Sequence, residues 1–449
     1  MGSRKVIHFS PARTILTSIL ATIIIGTILL SLPLARTVPI PFLDLFFTAT
    51  SSTCVTGLFT ISLENFTFFG QCIILALIQI GGIGLITLTV FLMSLFVNLG
   101  LATQLMTGQI LDIDRWKHVK RIVLFIVLTT AITELIGSFF IFLSIKNNFP
   151  FGRALFLSLF HSIASFCSAG ITLIPGGIKQ FNQNYLFLIT TILLIFIGTL
   201  GFLTWNELFT YWQARQRKER YRISLTTKII FYATLFITGT IALLILLFEH
   251  NAAFSTTNKP LLLILNILLQ SLSLRGVGFL MANLWQFKLV TLFLAMIVSF
   301  IGFSPGSTGS GVKITTFIVF LAIVRAAITG RTSVEINGRT IPTDQLYKAT
   351  AIIALGISWI AFTTFILLIT ETYTGFFPLL FEALSAFATL GISLGVTSTL
   401  STVGKIIIIA SMIIGRIGSL TLILALRKRK LERKAKAEFS YPEERITLS

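Results

Sequence analysis

The sequence predicts an all-α polytopic membrane protein, with eight transmembrane helices and four re-entrant pore helices in four pseudo-equivalent repeats around one central pore. The first observation behind this is composition. Hydrophobic residues make up 55% of the chain, charged residues only 11%, and mean hydropathy is +0.92, outside the soluble globular range. The second is length: eight apolar runs are long enough to cross a bilayer, and four shorter ones are not. The third is a pattern that occurs four times. A short turn with glycine at its fourth position is followed, at a nearly fixed distance, by a Gly-rich heptad. The turns are Cys54–Leu58, Cys167–Ile171, Arg275–Phe279 and Ala388–Ile392; the heptads begin at Gly81, Gly198, Gly302 and Gly415. The spacing from turn glycine to heptad glycine is 24, 28, 24 and 24, and each heptad ends in Thr, at Thr87, Thr204, Thr308 and Thr421.

The first repeat, 1–110, contains an apolar run at 14–35, a short segment at 42–53 and a second run at 68–98. The second, 111–222, has runs at 119–145 and 183–213 around a segment at 153–166; the third, 223–345, has 226–248 and 286–330 around 260–273. The fourth, 346–426, has 349–372 and 403–426 around 377–387, and a basic cytoplasmic tail follows at 427–449. At about 1.5 Å per residue the short segments reach only part of the way through a ~30 Å hydrocarbon core. They read as pore helices, which require protein or a water-filled cavity around the backbone that follows. The links 99–118, 214–225 and 331–347 are basic, and Asn337-Gly338 in the last is a tight-turn signal. The first span is too long for a cleavable signal peptide and runs straight into Pro41 and Asp44. The tail reads as a lipid-facing helical extension or, alternatively, as a docking site.

The net charge of +19 does not point to nucleic acid. With the N-terminus inside, most Lys and Arg fall on the cytoplasmic side, as the positive-inside rule requires, and Arg275 falls with the external loops. The clusters Arg215 to Lys228 and Arg427 to Lys436 directly follow predicted spans, where anionic lipids are the expected partners. Cys54, Cys72 and Cys167 lack metal-ligand spacing, and His8, His118, His161 and His250 lie in separate segments. No nucleophile, nucleotide loop or metalloprotease motif is visible, which leaves a polytopic membrane enzyme as a distant alternative.

Glycine at each turn has a physical reason. A cation sheds its water only where carbonyl oxygens replace the hydration shell, and four strands aiming carbonyls at one axis need backbone angles that side chains resist. The short helix before each turn also directs its negative end at that axis. Candidate filter residues are therefore Val55, Thr56 and Gly57; Ser168, Ala169 and Gly170; Gly276, Val277 and Gly278; and Thr389, Leu390 and Gly391.

The sixth span has its own anomaly. From Trp285 to Gly330 it would measure about 69 Å as one helix, so it must break. The sequence Gly302-Phe303-Ser304-Pro305-Gly306-Ser307-Thr308-Gly309-Ser310-Gly311 supplies the break, read either as a kink or as a loop lying across the pathway. Lys313 and Arg416 sit at depths where a basic side chain costs at least ~2.5 kcal/mol, so they should face the cavity or the loop, with snorkelling as the alternative for Lys313. Arg416 would then act as an electrostatic barrier. Glu134 and Glu207 read as packing or hydrogen-bond partners. Asp44 and Glu382 are placed in the first turns of pore helices, where a carboxylate favours the positive helix end.

These residues resemble the membrane subunits of bacterial potassium uptake systems, the KtrB/TrkH branch of the superfamily that also holds fungal Trk and plant HKT transporters. The matching stretches are Asp44–Thr50 into Cys54–Leu58, Phe160–Ile163 before Gly170, Ser273–Arg275 before Gly278-Phe279, Ser304–Gly309, and Glu382–Phe387 before Gly391. Without an extra N-terminal hairpin, the chain looks closer to KtrB. The resemblance implies that the four glycines form a potassium selectivity filter binding K+ through backbone carbonyls. It also implies that 302–311 is an intramembrane gate, with Lys313 and Arg416 beside it. A glycine in the first loop goes with potassium, whereas serine there goes with sodium in some HKT members. The chain departs from the common pattern at Gly276-Val277, where Thr-Ala is usual, at Ser168, where Asn is frequent, and at Ala388, where Gly is frequent.

The expectation is potassium uptake across the bacterial inner (plasma) membrane, with N- and C-termini cytoplasmic. A sodium-permeable or poorly selective cation transporter of the same fold is the alternative. No cofactor is expected in this chain, only K+ as the transported ion and Na+ as a candidate coupling or activating ion. The resemblance further implies symport, a homodimer and a cytoplasmic ring of nucleotide-binding RCK subunits of the KtrA/TrkA kind.

Overall fold

The computed structural model describes residues 11–84, 119–249, 259–282 and 284–418. Each repeat of the sequence contains a long helix, a short helix and a further helix or helix pair, labelled outer, pore and inner after the sequence reading. In the first repeat these are α1 (Pro11–Ser31), α2 (Phe42–Thr53) and α3 (Phe68–Ile83). In the second they are α4 (Val119–Ile145), α5 (Phe151–Phe166) and the pair α6 (Tyr185–Leu200) and α7 (Phe202–Gln216). The third contains α8 (Leu225–Glu249), α9 (Pro260–Ser273), α10 (Leu289–Phe300) and α11 (Ile314–Ile328). The fourth contains α12 (Thr343–Thr370), α13 (Phe376–Ala388) and α14 (Thr402–Ile417).

Among the described residues four helices are long and apolar enough to span a bilayer, α8, α12 and most of α1 and α4, and the bent pair α6–α7 is a fifth if counted as one span. These outer helices are apolar all round because one face meets protein and the other meets lipid. On α1, Ile23 and Leu30 are buried while Ile24, Ile25 and Ile28 are more than half exposed. The pore helices are enclosed instead. The last six residues of α2 are all buried, and its hydroxyls bond back along the helix, Thr48 Oγ1 to Asp44 O and Ser52 Oγ to Thr48 O, each at 2.8 Å.

Inner helices start on a side-chain cap. Thr67 Oγ1 accepts from Gly70 N, Asn184 Oδ1 from Phe187 N and Ser401 Oγ from Gly404 N, a type of contact worth ~1 kcal/mol. In the third repeat the same position is Lys288, which cannot accept. Glu249, at the end of outer helix α8, takes over by accepting from Lys288 N at 2.9 Å and from Thr291 Oγ1 at 2.6 Å.

The inner helices correct the sequence reading, which expects continuous runs at 68–98, 183–213 and 403–426. They end at Ile83, Leu200 and Ile417, each followed by a glycine at positive φ: Gly84 at 87°, Gly201 at 86° and Gly418 at 90°. After Gly201 the chain turns by 94° into α7. A residue at such φ cannot continue a right-handed helix. The glycine at the fourth position of the heptad is thus a stop signal in three repeats.

Glu207 on α7 accepts from the Ser224 Oγ and Thr227 Oγ1 hydroxyls and so caps α8. Between repeats three and four, strands β1 (Glu335–Ile336) and β2 (Arg339–Thr340) pair antiparallel across Asn337-Gly338, both at positive φ as a tight hairpin requires. The first and last repeats are joined on the opposite side of the molecule. Lys405 Nζ of α14 lies 2.6 Å from Asp44 Oδ1 of α2, which also accepts from Thr60 Oγ1 at 2.7 Å. The tail 427–449, the link 99–118 and the heptad threonines Thr87 and Thr421 lie outside the described residues.

Candidate functional site

The four pore helices end in four turns whose conformation follows from a helix C-terminus. In repeats one, two and four, Val55, Ser168 and Thr389 take left-handed φ of 56°, 60° and 50°. The next N–H then reaches back five residues: Thr56 to Ser51 O, Ala169 to Ala164 O and Leu390 to Ser385 O, each at 2.8 Å. This satisfies carbonyls that the helix end would leave open. The third turn is different. Gly276 has φ 141°, and the N–H groups of Gly276, Val277 and Gly278 all converge on Ser273 O at 3.2, 3.0 and 3.2 Å.

The turn glycines Gly57, Gly170, Gly278 and Gly391 all have positive φ, between 64° and 92°. A Cβ placed on Gly57 would run into the carbonyl oxygen of Ala169, on Gly170 into Val277 O, on Gly278 into Leu390 O, and on Gly391 into Thr56 O. Each glycine therefore packs on the residue before the glycine of the next repeat, and the fourth closes back on the first. The result is a ring of backbone from all four repeats, with room for hydrogen only. Val55, Thr56, Ser168, Ala169, Val277, Thr389 and Leu390 are buried around it.

The heptads seat the inner helices behind this ring. A Cβ on Gly81, Gly198 or Gly415 would strike the carbonyl oxygen of Thr53, Phe166 or Phe387, the terminal region of the pore helix in the same repeat. Gly302 breaks the series, because the atom it faces is Ser310 O. There α10 ends at Phe300 and the chain resumes as helix only at Ile314. The two ends of this excursion are held together: Ile301 bridges Val312, Gly302 N donates to Val312 O at 2.8 Å, and Ile314 N to Phe303 O at 3.1 Å.

The segment between them is held directly by the second and fourth repeats and, through Arg416, is tied to the first. Toward the second, Ser304 Oγ donates to Thr199 O at 2.9 Å, Phe202 N to Gly306 O at 2.9 Å, and Thr308 Oγ1 to Phe166 O at 3.0 Å. Thr308 Oγ1 also lies 3.3 Å from the hydroxyl of Ser168 in the second turn. Pro305 and Ser307 shape the tip, where Ser307 Oγ returns to Ser304 O at 2.7 Å. Toward the first and fourth repeats the connection is Arg416. Its Nη1 donates to Thr308 O at 2.6 Å and to Ser310 Oγ at 2.9 Å, while Nη2 donates to Gly81 O at the end of α3. Gly311, at φ 76°, lies over Ala388 O, and Lys313 Nζ folds back to Gly309 O at 2.7 Å. A planar guanidinium with several fixed donors suits such a junction better than an ammonium does.

The structure departs from the sequence reading at two charges. Arg275 is not an external loop residue; it is fully buried at the start of the third turn, with Nη1 3.3 Å from Thr238 Oγ1 and its Cζ 4.9 Å from the Phe303 ring centroid. Glu382 is not in a first turn: α13 starts at Phe376, and the carboxylate accepts from Ser393 Oγ at 2.6 Å and from the Thr397 hydroxyl, bracing the chain after the fourth turn. Glu134 is buried and accepts from Gln79 Nε2 at 2.9 Å. The Lys405 partner of Asp44, and the role of Phe303, left no local signal in the sequence.

The structure thus sets a ring of four backbone turns inside an apolar helical scaffold, with the loop 302–311 packed beside it. Residues 11–435 match the TrkH family of cation transport proteins, and the chain belongs to that family. It is 33% identical to the Ktr system potassium uptake protein B of Bacillus subtilis (strain 168) over 433 residues, covering 94% of each chain. It is 29% identical to the potassium/sodium uptake protein NtpJ of Enterococcus hirae over 448 residues, covering 98% of each. The solved structure of the potassium transporter TrkH from Vibrio parahaemolyticus shares its fold, with a TM-score of 0.72 at 18% identity, covering 95% of this chain and 87% of that one. The family and these relatives are cation transporters rather than enzymes, and the chain is a membrane protein of a potassium uptake family.

Proposed function

We propose that this chain takes up potassium across the plasma membrane through the ring of four turns. Carbonyl oxygens of the strands 55–57, 168–170, 276–278 and 389–391 replace the hydration shell of K+, and the loop 302–311 controls passage below them. The observation that carries this reading is the closed ring, in which each turn glycine packs on a backbone carbonyl of the next repeat. In the proposed topology eight spans and four re-entrant pore helices surround the pore, with both termini cytoplasmic. Two copies form the working unit on a cytoplasmic ring of nucleotide-binding RCK subunits, as a multi-component Ktr system implies. Anionic lipids meet the basic links, and Na+ acts as a coupling or activating ion.

One comparison favours a second reading. The relative from Enterococcus hirae is named for potassium and sodium together, so a sodium-permeable pathway of the same build is the alternative. Expression in a host lacking its own potassium uptake separates the two. Growth at low potassium, with potassium uptake that excess sodium does not inhibit, supports the first reading. Sodium entry at a comparable rate supports the second, and no cation uptake in a correctly inserted protein refutes both.

A further inference from the structure

Three of the four turns keep a side chain two residues before the filter glycine: Val55, Ser168 and Thr389. The third has none, since Gly276 stands there. The consequence is a gap behind the third strand, and an aromatic ring from the loop fills it. An ideal Cβ on Gly276 would come within 3.1 Å of Phe303 Cε2, so the ring lies where a side chain of the strand would begin. Phe303 is 1% exposed. It is enclosed on two further sides. Arg275, the residue before Gly276, places its guanidinium 4.9 Å from the ring centroid. From the loop itself comes Gly309, where an added Cβ would strike Cδ2 of the same ring.

Arg275 takes part in no ion pair among the described residues. Its contacts are Thr238 Oγ1 at 3.3 Å, Gly302 O at 3.5 Å and the π face of Phe303, so the ring is a main partner of a fully buried cation. The third strand also lacks the left-handed cap, and its three N–H groups share Ser273 O at 3.0–3.2 Å in place of the 2.8 Å return bond that the residue before the glycine makes in the other three turns.

We infer that Phe303 is a positioning residue for ion discrimination: seated on bare Gly276 and held by Arg275, it supplies the support that the third filter strand lacks in its own sequence. The inference rests on the reading of the four turns as a filter. It assigns two separable tasks to one loop. The bonds that Arg416 makes to Thr308 O and Ser310 Oγ govern rate, whereas the Phe303 ring, packed between Gly276 and Gly309, governs how well the site distinguishes K+ from Na+.

The test uses purified full-length protein in proteoliposomes, with the ratio of apparent affinities for K+ and Na+ as the readout. Phe303→Leu removes the flat ring and keeps the apolar character. Gly309→Ala leaves the filter strand and Phe303 chemically unchanged but displaces the ring from the loop side. Both variants are expected to lower the K+/Na+ affinity ratio about five-fold or more, the change that ~1 kcal/mol produces. Arg416→Ala is expected to change the maximal rate with the ratio preserved. If Phe303→Leu fails to fold, Gly309→Ala alone decides. An unchanged ratio in a folded Phe303→Leu or Gly309→Ala protein overturns the inference. Gly57→Ser in the same assay separates this from failure of the filter reading itself: a fall in that variant with none in the Phe303 and Gly309 variants removes only the role of Phe303.

Discussion

Replacing Arg416 by alanine removes a charge and a junction at once, and the structure allows the two to be weighed. A positive charge about 6 Å from a passing potassium ion opposes it by roughly 2.8 kcal/mol at an effective dielectric near 20. The guanidinium also makes two bonds to the loop, at Thr308 O and Ser310 Oγ, and one to Gly81 O of the first repeat. Hydrogen bonds from a charged donor contribute about 1.5–3 kcal/mol each, so the two on the loop hold it with ~3 kcal/mol or more. Both effects slow potassium, and Arg416→Ala should raise the maximal uptake rate, on the order of ten-fold after compensation by neighbouring carbonyls. Lysine separates them. It keeps the charge but loses the fixed fork of donors that holds the loop, so Arg416→Lys should fall between the parent and the alanine variant. The assay is potassium uptake by purified protein in proteoliposomes. A lysine variant that matches the parent would show that charge alone matters, and reduced flux in a folded alanine variant would show that Arg416 acts as a structural support instead.

Three further outcomes follow from the same geometry. Gly57→Ser should lower potassium-over-sodium discrimination in uptake measurements, because its Cβ would press on Ala169 O at a φ of 92°; unchanged discrimination would remove this turn from the pathway. Deleting part of 302–311 should raise the maximal rate with little change in apparent affinity, and a change in affinity alone would contradict a gate. Asp44→Asn should lower the melting temperature by several degrees, since it leaves Lys405 unpaired where repeats one and four meet and such a loss costs ~3 kcal/mol. A Lys405→Met change in the same background should restore part of the loss, and a melting temperature insensitive to Asp44→Asn would show that the pair is not needed to close the ring.

Much of this was legible in the sequence because it is written in spacing. Glycine at one place of each turn, apolar segments too short to span, and a span too long to be one helix all have lengths that lipid and helix geometry interpret directly. The pore segments at 42–53 and 260–273 coincide with α2 and α9. What was not legible depends on partners distant in the chain. Arg275 looks like a loop charge until Phe303 and Gly302, from another segment, come to enclose it. Asp44 reads as a helix-dipole carboxylate because its lysine is 361 residues away. The stops at Gly84, Gly201 and Gly418 were hidden because a glycine among apolar residues serves equally as a packing contact or a break. In the heptads of repeats one, two and four the glycine at the first position is the contact and the one at the fourth position is the break, a distinction that φ reveals and composition does not.

The central claim is that one potassium site lies inside the ring formed by the four turns. Anomalous scattering from crystals of the protein grown with thallium, a heavy stand-in for potassium, tests this most directly. The account predicts a peak enclosed by the strands 55–57, 168–170, 276–278 and 389–391, displaced by excess potassium and weakened in Gly57→Ser. A potassium-displaceable peak elsewhere in the membrane region, with none in the ring, would contradict it.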